Sequence, residues 1–103
     1  MIAEIVERRA ELTRLCPQFG VRRLEVFGSA ASGAFRSGES DLDFLVEFDA
    51  AATGTGYADR FFGLLESLEQ LFGRRVDLVV GSAIRNPYFR ESVDRTRALV
   101  YAA

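Results

Sequence analysis

The sequence predicts an α/β fold, a small mixed β-sheet flanked by helices in the order α-β-α-β-α-β-α. Three observations carry it. "DLDFLVEF" (41–48) alternates strictly, with Leu42, Phe44, Val46 and Phe48 on one face and Asp41, Asp43, Leu45 and Glu47 on the other. Residues 57–72 instead place Phe61, Leu64, Leu65, Leu68, Leu71 and Phe72 on a broad apolar helical stripe. Strand-like and helix-like stretches alternate along the chain, which is the order of an α/β sheet covered by helices.

The elements follow in turn. Ile2, Ile5, Val6, Leu12 and Cys16 fall near one face of a helix over 2–16, which Pro17 and Gly20 end. "VRRLEVF" (21–27) has strand character and runs into the Gly28–Gly33 turn; a short helix across 30–37 is weakly signalled. "AATGTG" (51–56) reads as a loop, and Gly73 suits the C-cap of the long helix. "RVDLVV" (75–80) forms a further strand, with Val76, Leu78 and Val80 on one face and Asp77 and Val79 on the other. Asn86-Pro87 supplies an N-cap and first helical position for a last helix to about Arg97, and "ALVYAA" ends as a short strand or a packed tail.

At 103 residues the chain is expected to be one domain, 1–103, with a single modest core. No apolar run approaches the roughly 20 residues that cross a bilayer, and the charge-broken N-terminus does not resemble a secretory signal, so a cytoplasmic protein without membrane contact is expected. Histidine is absent, which removes Ser-His-Asp and Cys-His triads and HExxH zinc sites. The 13 basic residues are all Arg, which excludes Schiff-base lysines and the lysine of a Walker loop. The single Cys16 has no disulfide partner and reads as a buried thiol. A net charge of −2 gives no global reason to bind nucleic acid.

Chemistry therefore rests on carboxylates, arginines, hydroxyls or bound metal. Asp41 and Asp43, at i and i+2 of a strand, project side by side roughly 7 Å apart and repel unless a cation sits between them. If Val76 and Leu78 pack against the same helices as Leu42 and Phe44, Asp77 joins them on one face. Three such carboxylates can hold two Mg²⁺ ions about 3.5–4 Å apart for in-line phosphoryl displacement. The stretch "FGSAASG" has Gly-x4-Gly spacing, but Ala34 and Phe35 stand where a P-loop requires Lys and Ser/Thr. What remains is a Gly-Ser turn whose backbone N–H groups and Ser29 hydroxyl can approach phosphate oxygens. Taken singly, the acidic pair also fits an exposed strand entry, and the turn a plain tight turn.

Together, "FGSAASGAFRSGESDLDFLVEF" and "RRVDLVV" resemble the DNA polymerase β superfamily, in which a GS motif precedes a strand bearing DxD and a third carboxylate follows on a later strand. The short length resembles in particular the minimal nucleotidyltransferase family, often the antitoxin partner of a HEPN-domain ribonuclease toxin. The resemblance spans about residues 2–101. It implies that Gly28 and Ser29 contact the nucleotide's phosphates, that Asp41, Asp43 and Asp77 hold Mg²⁺, and that Asp77 helps deprotonate the acceptor. The implied reaction is attack of an acceptor hydroxyl on the α-phosphorus of ATP or another NTP, releasing pyrophosphate. The implied acceptor is a hydroxyl of the HEPN toxin, modified by AMP. Ser32 departs from the pattern, standing where many relatives carry an arginine; Arg36, Arg74 and Arg75 are candidates to compensate for it, and each also reads as an ordinary surface residue. Two other readings are a non-catalytic module that masks its partner, with Tyr88, Phe89 and Tyr101 as possible contacts, and a small-molecule nucleotidyltransferase.

Overall fold

The computed structural model describes residues 1–32, 41–49 and 56–103. Arg36, the 33–37 part of the weakly signalled helix and the loop before Gly56 lie outside the described residues. The N-terminal segment is two short helices, α1 (Ala3–Glu7) and α2 (Arg9–Leu15), followed by a 3₁₀ turn at Cys16–Phe19. The expected single helix over 2–16 is thus broken at Arg8 (φ −97°, ψ 8°), within the charged run Glu7–Arg9 where no apolar side chain holds the turn to the core. Ile5, Leu12 and Cys16 are fully buried, whereas Val6 is 51% exposed. One residue beyond Ile5 means a rotation of about 100°, which carries Val6 out of the stripe. Burial pushes the Cys16 thiol up to about 12, as for an inert structural cysteine.

Strand β1 (Val21–Phe27) leads into a one-turn helix α3 (Ser29–Ser32); β2 (Leu42–Phe48) follows, then α4 (Tyr57–Phe72), β3 (Val76–Val80), a 3₁₀ turn at Gly81–Ala83, α5 (Pro87–Thr96) and β4 (Ala98–Ala102). The sheet order is β3-β2-β1-β4. β2 and β3 run parallel and the other two pairs antiparallel, so the sheet is mixed. The C-terminal segment resolves as a strand, the fourth, pairing with β1 at the sheet's edge.

The main core lies on one sheet face, where Leu24, Val26, Leu42, Phe44 and Val46 meet Ile5, Leu12, Leu64, Leu68 and Phe72 from the helices. The opposite face is not simply polar. Leu45 is only 3% exposed and packs with Phe27 and Val93 of α5, with Val79 and Ile84 beside them. An apolar residue in the middle of the acid-bearing face is the side chain α5 covers, so only one end of that face is left to the carboxylates. Among the described residues no helix is long and apolar enough to cross a membrane.

Helix ends follow local chemistry. Gly73 caps α4 in the left-handed conformation (φ 63°), its N–H donating to Glu69 O at 2.8 Å. Asn86 Oδ1 accepts from the N–H groups of Tyr88 (2.9 Å) and Phe89 (3.2 Å), with Pro87 at the first helical position. Asn86→Ala is expected to cost about 1 kcal/mol, read as a lower urea midpoint at unchanged m-value.

Candidate active site

The parallel register of β2 and β3 pairs Leu42 with Val76, Asp43 with Asp77 and Phe44 with Leu78. Leu42, Phe44, Val76 and Leu78 all enter the main core, so Asp43 and Asp77 stand directly opposite one another on the other face. Two contacts pin this register where β3 begins. Val76 N–H donates to the Glu69 carboxylate of α4 at 3.2 Å, and Leu42 N–H donates to Arg75 O at 3.3 Å. Asp41 is exposed, just ahead of β2.

Antiparallel pairing of β1 with β2 sets Phe27 opposite Asp43, which brings the following turn onto the same carboxylate. Gly28 has φ +69°, and a Cβ there would lie 2.6 Å from Asp43 Oδ2. The backbone conformation favours glycine, and any side chain there would also have to push the Asp43 carboxylate aside. Ser29 opens α3 and exposed Ser32 closes it. Of the arginines near the motif, Arg74 bonds Glu4 at 3.0 Å, and Arg75 is exposed.

Partial burial, then the charge of Asp77, then that of Asp41 raise the Asp43 carboxyl from its ordinary value to about 6. Among the described residues, none of Asp41, Asp43 and Asp77 accepts a hydrogen bond or an ion pair. Nor do three or more acidic, Cys or His side chains there form a ready-made metal cage. Unspent oxygen donors that repel one another suit a hard dication.

Two features of this region had little sequence signal. Gly28 N–H donates to the hydroxyl of Thr96, 68 residues away, at 2.8 Å. Glu25, in the middle of β1 and 3% exposed, is the one charged residue among the buried described side chains. Arg97, just past α5, grips it with two hydrogen bonds of 2.8 Å, and Arg23 adds one of 2.6 Å. Sequence shows Glu25 as an acid interrupting an apolar strand, but nothing local points to a partner 72 residues on.

The Arg97 bonds, together with Arg23, hold the Glu25 carboxyl down to about 2, against the opposing effect of burial. A folded value below the unfolded one gives stability that is present above about pH 4.5 and lost as pH falls towards 2. Both guanidinium groups are partly in water, which softens the loss. Glu25→Gln is expected to cost about 2 kcal/mol at pH 7 and to flatten the acid limb of stability against pH, measured by urea titrations from pH 2 to 7.

Residues 7–100 match the family described as the nucleotidyltransferase domain. A Methanocaldococcus jannaschii chain provisionally named a protein adenylyltransferase is 32% identical over 93 residues, 90% of this chain and 88% of its own length. Protein adenylyltransferase MntA of Thermococcus cleftensis is 39% identical over 77 residues, 75% of this chain and 73% of that one. Among solved structures, one described provisionally as a minimal nucleotidyltransferase shares 37% identity with a TM-score of 0.72, covering 91% of this chain and 90% of that one. The MNT antitoxin solved in complex with a tri-AMPylated Shewanella oneidensis HEPN toxin shares the fold at 15% identity (TM-score 0.63, 96% and 73% covered). With a GS turn laid against paired aspartates and a match running almost end to end, this chain belongs to the nucleotidyltransferase domain family, in its minimal form.

Proposed function

We propose that the chain, a single nucleotidyltransferase domain over 1–103, is a Mg²⁺-dependent protein adenylyltransferase that moves AMP from ATP to a hydroxyl of a HEPN-domain toxin and so acts as its antitoxin in the cytoplasm. The observation that carries this reading is the direct pairing of Asp43 with Asp77 across parallel strands, with Gly28 packed against Asp43. The relatives named as protein adenylyltransferases support the choice of AMP and of a protein acceptor. The complex of an MNT antitoxin with an AMPylated HEPN toxin supports the choice of partner.

Asp41, Asp43 and Asp77 would hold one or two Mg²⁺ ions, which supply charge stabilisation at the phosphates. The chain's own residues do the rest. Gly28 and Ser29 set the turn that receives the β- and γ-phosphates, with the Ser29 hydroxyl as a donor. Asp77 accepts the proton of the incoming hydroxyl as its oxygen attacks the α-phosphorus. The bond from that phosphorus to the bridging oxygen breaks, and pyrophosphate leaves. Holding both reactants in line contributes through orientation what no histidine or lysine is present to supply.

Incubation with MgATP and the product of the gene neighbouring this chain's, followed by intact-mass spectrometry, is expected to show a HEPN-domain partner heavier by one or more AMP units. An unmodified partner that is nonetheless neutralised would favour masking instead.

A further inference from the structure

We propose that Thr96 is a positioning residue of the site, locking the Gly28 turn through its hydroxyl. The proposal rests on the reading of the site given above and goes beyond the GS motif and the three carboxylates. The Thr96 Oγ accepts the Gly28 N–H at 2.8 Å and lies 3.5 Å from both Ser92 O and Val93 O of its own helix. Its proton therefore turns back into α5 and a lone pair is left facing Gly28. The Gly28 carbonyl is engaged as well, accepting from Ala31 N–H (3.2 Å) and Ser32 N–H (3.1 Å).

Both polar groups of Gly28 are thus used inside the protein. That leaves Ser29, not the Gly28 amide, to meet an incoming phosphate. It also fixes the conformation of a residue that is intrinsically permissive, at the place where the chain passes against Asp43. Thr96 can do this because its helix is fastened on both sides. Arg97 grips Glu25 of β1 with two bonds of 2.8 Å, and Phe89 sits edge-on to Phe27 at 6.0 Å.

The test compares Thr96→Val, which keeps the shape and loses the acceptor, with Thr96→Ser, which keeps the hydroxyl. In Thr96→Val, amide exchange at Gly28 is expected to speed up about tenfold. The KM for MgATP should rise about three- to tenfold, the loss of one net hydrogen bond, with kcat held within about twofold because the turn binds ground state and transition state alike. Thr96→Ser should restore both. A Thr96→Val protein with unchanged Gly28 exchange and unchanged KM, whatever its melting temperature, overturns the proposal, as does a Ser variant as impaired as the Val one. If the wild type transfers nothing to the HEPN protein, the proposed function falls by itself, while Gly28 exchange and MgATP titration calorimetry still decide on Thr96.

Discussion

Asp43→Asn is expected to cut AMP transfer by about 100- to 1,000-fold or more while leaving the metal-free fold as stable as the wild type or more so. The two halves of that expectation share one cause. Asp43 sits partly buried and faces the charges of Asp77 and Asp41, so its carboxyl is raised to about 6. A folded value above the unfolded one means that its contribution to stability is favourable at low pH and is lost as pH rises from about 4 through 6. At pH 7 the unliganded fold therefore bears a repulsion that Asn removes. Thermal melts in chelator should show a midpoint equal to or above that of the wild type, with a flatter pH dependence between 4 and 7. A large drop in the midpoint would mark Asp43 as a structural residue instead. In the companion assay, an Asp41→Asn/Asp43→Asn double variant that still binds its partner but no longer neutralises it supports catalysis. Full neutralisation by that double variant would falsify the catalytic account and leave masking.

Gly28→Ala is expected to impair both folding and transfer. An L-residue at φ +69° carries about 1–2 kcal/mol of strain, and the new methyl carbon would stand 2.6 Å from Asp43 Oδ2. The methyl would push the end of the Asp43 side chain aside, moving the carboxylate from its place opposite Asp77. A total cost of about 1–2 kcal/mol is expected by urea unfolding, mostly backbone strain, with transfer reduced in the direction expected for Asp43→Asn. Ala at position 28 with wild-type turnover would mean that the turn does not bear on that carboxylate.

Much of this was legible in the chain because it is written locally. The strict alternation of "DLDFLVEF" separates Leu42 and Phe44 from Asp43 by the two-residue period alone, and the stripe over 57–72 and the Asn86-Pro87 start are equally local. The face shared by Asp43 and Asp77 was legible only through an assumption about which side Val76 packs on, and the parallel register meets it. Leu45 shows the limit of alternation: period two places it beside the acids but does not say that α5 lies over it. Val6 and the break at Arg8 were missed because an apolar residue at the border of a stripe carries no mark of its burial. Glu25 with Arg97, and Gly28 with Thr96, join residues about 70 positions apart, and no spacing rule reaches that far.

The grip of Glu69 on Val76, with Gly73 turning the chain between them, has a consequence for how this protein tolerates change in length. Only Gly73, Arg74 and Arg75 separate α4 from β3, and both ends of that span are tied. Because strand side chains alternate, adding or removing one residue here would send Asp77 into the core and Leu78 out beside Asp43. The chemistry of the carboxylates is in this sense counted out in residues by a helix that carries none of them: substitution of the exposed Arg75 should be absorbed, whereas a single-residue insertion or deletion should not.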